Sequence, residues 1–267
     1  MAIGSETLHD WTFYSMDNNK ISIDLSLPRG WHELNDKQLR YAFGLIAKGF
    51  TFDEIKTLCL FSWSGLSVRH RHNAGFVCRL HRQDFIVSAD QIAEVIPALD
   101  WLDTIPPQPV CISRIGCHRS FSPDFSEVPF EKFIICDNLY QGYLATQSDD
   151  LLVQLAGILY QSPIPISLSP AERISVFYWF ASVKGYFARR FNYFFQPSAQ
   201  TDNLLDSNAQ PSGTQIQQSV DAMIRALTKG DITKEREILS LDTHRALTEL
   251  DAQAKEYQEL DKTLPKK

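Results

Sequence analysis

Residues 170–195 constrain the fold more than any other stretch. They are introduced by Ser169-Pro170-Ala171-Glu172, which places an N-cap, a proline at the first helical position and a glutamate at the third. Phe177, Tyr178, Trp179, Phe180, Tyr186, Phe187, Phe191, Tyr193, Phe194 and Phe195 follow, about a third of the aromatic side chains in the sequence. They fall on every side of a helix rather than along one stripe, and a helix that is apolar all round must be enclosed by other elements. The chain has the material to enclose it, with 267 residues of which 44% are apolar.

The expected fold class is α+β and mainly helical, with short antiparallel hairpins in the N-terminal part and a charged helical C-terminal tail. Lys20–Leu27 alternates apolar and polar residues as a half-buried strand does, and Trp11–Tyr14 can pair with it across a turn at Asp17-Asn18-Asn19. Asn35 or Asp36 caps a helix to about Lys48, and Thr51-Phe52-Asp53-Glu54 is a capping box for a second helix to about Phe61. Phe76–Leu80 and Phe85–Val87, around a polar turn at His81–Asp84, predict another hairpin. Ser88-Ala89-Asp90-Gln91 then caps a helix to about Leu102, in spite of Pro97. A stiff connector at 104–109, a strand at Val110–Ile115 and a loop at 116–129 lead to helices at 130–146, 149–161 and 170–195.

Residues 198–218 are rich in Ser, Asn, Gln, Asp, Pro and Gly and lack aromatics, so they predict a flexible linker. Charged side chains rise from about a fifth of residues 1–197 to about two-fifths of residues 219–267. The expected organisation is therefore a mixed α+β region at 1–128, a helical region at 129–197 packed on it, the linker, and a charged helical tail at 219–267. In the tail a helix near 219–229 should stop at Gly230 and a second should run from Thr233 to about Leu260. Leu247, Leu250, Ala254 and Tyr257 form a narrow seam along that second helix, suited to a partner helix or to docking on the body.

The motifs of common catalytic sites are missing: the sequence has no G-x-S-x-G, no G-x-x-x-x-G-K-[ST], no G-x-G-x-x-G and no H-E-x-x-H. We expect no catalytic residue, no cofactor and no metal. The five cysteines have no Cys-x-x-Cys spacing and mostly apolar neighbours, which predicts buried thiols in a reducing compartment. The start, MAIGSETLHD, lacks the cationic and apolar runs of a secretory signal, and no apolar stretch is long enough to cross a membrane. A formal net charge of −6 argues against wrapping of nucleic acid by the whole surface. The exception is the window 69–82, where Arg69, Arg71, Arg79 and Arg82 could contact phosphates. On a regular strand His70 and His72 would face one way and Arg69 and Arg71 the other, and two histidines do not complete a zinc site. Basic residues among the aromatics of 170–195 suggest, more weakly, a stacking platform for single-stranded nucleic acid.

A set of stretches resembles a known group of proteins. These are Leu34–Ile46 with Gly49-Phe50-Thr51, Val128–Glu131 with Tyr140 and Tyr143, Leu151–Tyr160, Ser175–Phe180 through Arg190-Phe191, and Met223–Leu250 with Thr228–Lys234 and Arg245–Leu250. Together they resemble proteins encoded in the tail gene clusters of phages and prophages of anaerobic gut bacteria. The resemblance implies a virion structural component or a tail assembly factor, analogous to chaperones that hold the tape-measure protein. It implies synthesis in the host cytoplasm, incorporation in the virion for a structural role, and as partners other tail proteins or further copies of the chain. The function expected is thus non-enzymatic, in tail structure or assembly through protein–protein contacts. Nucleic-acid binding through the basic window is the alternative.

Overall fold

The computed structural model describes residues 9–15, 20–25, 27–80, 82–195 and 213–263. The expected turn at 17–19, His81 and residues 198–212 of the expected linker lie outside the described residues. The chain is α+β and mainly helical, and divides into two compact units. One comprises residues 1–106 with 170–175, the other residues 107–169 with 176–267.

The first unit contains an antiparallel five-stranded sheet in the order β2-β1-β5-β4-β3. β1 (His9–Ser15) pairs with β2 (Lys20–Leu25) and, at its C-terminal end, with β5 (Gln83–Val87). β4 (Gly75–Leu80) lies between β5 and the edge strand β3 (Ser67–His72). The β4–β5 turn is tighter than the expected 81–84, because Gln83 and Asp84 already pair with Leu80 and Arg79. Gly75 is required where β4 begins: its φ is +145°, and a Cβ there would stand 2.1 Å from the Val87 carbonyl oxygen.

α1 (Asp36–Ala47) and α2 (Phe52–Trp63) start at full capping boxes on Asn35/Gln38 and Thr51/Glu54. α3 (Ala89–Val95) starts at another on Ser88/Gln91. The helix expected through Leu102 is in fact α3 followed by a 3₁₀ segment, Ile96–Asp103, with Pro97 at its start. Proline removes an N–H and clashes with the preceding turn, so the α-helical ladder ends there. Trp31 and Phe43 stack at 5.3 Å, Trp31 meets Trp101 edge-on at 5.4 Å, and Trp63 stacks on Trp101 at 6.0 Å. Lys56, almost wholly buried, ties α2 to the 3₁₀ segment through Asp100 and Asp103, each 2.7 Å away.

The second unit is built from a two-stranded hairpin, β6 (Arg114–Ile115) and β7 (His118–Arg119), and from helices. These are α4 (Phe130–Thr146), α5 (Asp149–Leu159), α6 (Pro170–Arg190) from Val176 onward, α7 (Gly213–Thr228), α8 (Glu235–Ser240) and α9 (Thr243–Thr263). Trp179, Phe180 and Phe187 of α6 have no exposed surface, so the aromatic helix does sit at a centre. Phe125, Phe130, Phe133 and Tyr160 pack against them in the same cluster.

Four details differ from expectation. Only Arg114–Ile115 of the expected strand 110–115 is paired. The units meet in sequence at 106/107 rather than at 128, because Ile115, Phe125 and Val128 are buried in the helical core and the Trp179 Nε1–H donates to the Pro123 carbonyl at 2.8 Å. The helix expected from 219 begins at Gly213, inside the expected linker. The tail is no separate appendage either: Val220, Leu227, Ala246, Leu247 and Leu250 belong to the same cluster as Trp179.

Candidate functional site

The basic window starts on β3, an edge strand of the sheet with all six residues exposed, and continues through the interior strand β4 into the β4–β5 turn. The register of β3 against β4 slips between Val68 and His70, a bulge that takes in Arg69 as an extra residue. Ser67, His70 and His72 then oppose Arg79, Val77 and Gly75, on the face of the Arg79–Asp84 pair, while Arg71 opposes Phe76 on the other face. His70 and His72 thus share one face and Arg71 takes the other, as the expected alternation has it, and only Arg69, at the bulge, leaves that pattern. Arg69 and His70 both act electrostatically on the Asp84 carboxyl.

Arg79 is already committed. Its Nε and Nη2 donate to the two Asp84 carboxylate oxygens at 2.6 and 2.5 Å, and this fork, ahead of the other causes, holds the Asp84 carboxyl below the usual carboxylate range. Arg82 is exposed in the β4–β5 turn at φ +73°. The structure therefore leaves Arg69, Arg71 and Arg82 exposed but does not gather the four guanidiniums of the window on one face. A bulged, charged edge strand is a common guard against stray strand pairing. The basic residues of α6 are engaged as well: Lys184 pairs with Asp137 at 2.8 Å, Arg189 donates to the Pro107 carbonyl, and Arg190 donates to the Tyr186 hydroxyl at 2.7 Å.

The seam along α9 is split by the fold. At its start Thr243 donates through both N–H and Oγ1 to the Val128 carbonyl, at 2.9 and 2.7 Å. The Asp242 carboxylate accepts from the backbone N–H groups of Glu127 and Arg245. Leu247 and Leu250 are buried in the aromatic core, so they are core residues and not the partner contacts expected of them. Ala254 is half-buried. Asp251 Oδ1 then accepts from the Phe194 N–H at 2.9 Å, and the Lys255 ammonium lies 5.6 Å over the Tyr193 ring. Beyond Lys255, Tyr257 is 75% and Leu260 64% exposed, one turn apart on one face.

A cleft of about 340 Å³ lies in the same unit. It is lined by Asp221, Ile224, Arg225 and Thr228 of α7 with Gly230, Ile232 and Glu235, and Ile232 is 83% exposed. Comparison with protein-family models, curated proteins and solved structures finds no match. The site has to be read from its own chemistry.

Other reactive groups are held in structural roles. Ser162 Oγ lies 3.3 Å from His118 Nε2, but its proton goes to the Ile164 carbonyl at 2.7 Å, which closes a local turn instead of arming a nucleophile. Burial pushes the Cys59 thiol up to about 12 and Cys78 up to about 11, and raises Cys136 as well, so these thiols are inert. Cys117 is exposed beside Gly116 in the β6–β7 turn. Among the described residues no group of three or more His, Cys, Asp or Glu side chains could hold a metal ion. No helix among them is long and apolar enough to cross a membrane.

The expected site list missed Leu260 and Ile232. Both had a signal: Leu260 follows Tyr257 at helical spacing, and Ile232 is a lone large apolar residue among charged and small neighbours. Burial of Leu247 and Leu250 had none, because the seam matches a partner helix and the chain's own core equally well.

Proposed function

We propose that this protein is a non-enzymatic component of a phage or prophage tail, made in the host cytoplasm and acting in tail structure or assembly through protein–protein contacts. The observation that carries the reading is the end of α9. The helix is pinned by core residues as far as Leu250 and by Asp251 and Lys255 after that, then presents Tyr257 and Leu260 to solvent. Exposing two large apolar side chains on a well-anchored helix has an unfavourable hydration cost that a partner removes, and aromatic anchors of this kind dominate interface energies. The resemblance of the packing and capping stretches to tail-cluster proteins supplies the biological setting.

The test is complementation in a lysogen whose copy of the gene has been deleted. The wild-type gene should restore tailed particles, whereas a Tyr257→Ser/Leu260→Ser variant, checked for an unchanged melting profile, should give tailless or aberrant ones. Full complementation by the variant removes the end of α9 from the function, and normal tails without the gene remove the tail role altogether.

A further inference from the structure

We infer that β3 is the docking edge for an acidic extended segment of another protein, which adds to the sheet as a further strand. The inference does not rest on the end of α9, because β3 belongs to the first unit and α9 to the second. No described strand pairs with the outer side of β3, and all six of its residues are exposed. In an antiparallel pair, successive residues turn their N–H and C=O groups alternately to one neighbour and the other. An edge strand therefore keeps a row of unused donors and acceptors. Such an edge offers main-chain hydrogen bonds to an incoming strand, and its side chains choose which strand comes.

Charge makes the choice here. Residues 67–83 contain Arg69, Arg71, Arg79 and Arg82 and no carboxylate. Asp84 is taken by Arg79, and Asp90 lines a cleft with Arg71 and His72. Counting both acids against the four guanidiniums still leaves two positive charges at this edge, in a chain whose formal net charge is −6. The β3 of a second copy would set arginine against arginine, so the charges that guard this edge turn away a like strand but not an acidic one. Their distribution over the two faces selects a strand over a nucleic acid. Arg71 lies on one face, and His70 and His72 lie on the other, where Arg69 also acts on Asp84. A nucleic-acid backbone approaching one face would leave the charges of the other unused. An extended chain lying along the edge presents its side chains alternately to both faces, and acids at neighbouring positions reach both sets. The bulge at Arg69 shortens the regular run, which makes this a weak and reversible contact.

The probe is a short labelled peptide of repeated Val-Glu-Asp-Thr units, which is acidic on both faces when extended. Its fluorescence anisotropy should rise to saturation with the full chain at low salt, and hydrogen exchange read by mass spectrometry should slow at residues 67–72. Arg69→Glu/Arg71→Glu alters exposed positions only, so it should keep the wild-type melting profile while weakening the peptide about tenfold or more. That variant should in turn take up the matching Val-Lys-Arg-Thr peptide, which the wild type refuses. An acidic peptide with proline in place of valine and threonine keeps the charge but lacks half the donors, and should bind far more weakly. Three results overturn the inference: no saturable binding of the acidic peptide by the wild type, equal binding of the proline peptide, or equal binding by the charge-reversed variant. A thymidine oligonucleotide bound more tightly than the peptide, with no slowing of exchange at 67–72, also overturns it and assigns the window to nucleic acid. None of these outcomes bears on the end of α9, which is tested separately by complementation.

Discussion

Asp124 shows how one residue can hold a loop in place. Burial pushes its carboxyl up, but hydrogen bonds from the Ser126 hydroxyl and N–H and from the Ser122 hydroxyl outweigh that, with His244 nearby, and leave it below the usual value of 3.8. Its own carbonyl is 2.7 Å from His244 Nε2 of α9, so the loop and the helix share this residue. A carboxyl depressed in the folded state stabilises the fold above its unfolded pKa, and that contribution disappears as pH falls through the folded value. Asp124→Asn should therefore cost about 1 kcal/mol near neutral pH. In calorimetry the gap in melting temperature between the variant and wild type should close as the pH is lowered below the ordinary carboxyl range. A gap that stays constant into acid would mean that the charge is not what matters. Lys56 shows the opposite case. Burial lowers the pKa of its ammonium, yet hydrogen bonds to Asp100 and Asp103 leave it raised, so its contribution is complete at neutral pH and fades only in strong alkali.

Helix starts were legible in the sequence wherever side chains close their own caps. Asn35, Thr51 and Ser88 each begin a helix with the reciprocal bonds that the sequence spacing requires. Interruptions were harder to read. The expected single helix from Thr233 is a 3₁₀ turn, α8, a break at Leu241-Asp242, and α9. That break is imposed by distant chain. Pro129 bridges to Asp242, and the Phe130 N–H donates to the Leu241 carbonyl at 2.8 Å, contacts that local propensity cannot show. The bulge at Arg69 is similar, since a register slip depends on the partner strand. Asp242 closes the break by receiving one N–H from its own helix and one from residue 127. Asp242→Ala should lower stability by about 1–2 kcal/mol, as the loss of an N-cap together with a charge-assisted hydrogen bond does. Chemical denaturation measures it, and an unchanged midpoint would show that solvent replaces the carboxylate at no cost.

Across the whole molecule, the division into two units changes what a truncation can remove. A tail docked loosely could be cut away at 219, but Val220, Leu227, Ala246, Leu247 and Leu250 lie in the same cluster as Trp179 and Phe187. Removing 219–267 should expose that cluster, leaving the second unit susceptible to limited proteolysis and prone to aggregation. Ending the chain after Lys255 should leave it resistant. Equal resistance of both truncations would separate α9 from the core. The candidate site was legible only in part for the same reason: an amphipathic helix announces an apolar face, but only the rest of the fold decides how far along the helix that face is used. The units differ in one more respect. Trp63 and Trp101 lie 6.0 Å apart with their planes 9° from parallel, and both belong to the first unit, while Trp179 is in the second. Two indoles that close share their excited states. Near-ultraviolet circular dichroism should therefore contain a tryptophan contribution that Trp63→Phe removes and that follows the unfolding of the first unit; a spectrum unchanged by the substitution would show that the pair does not couple.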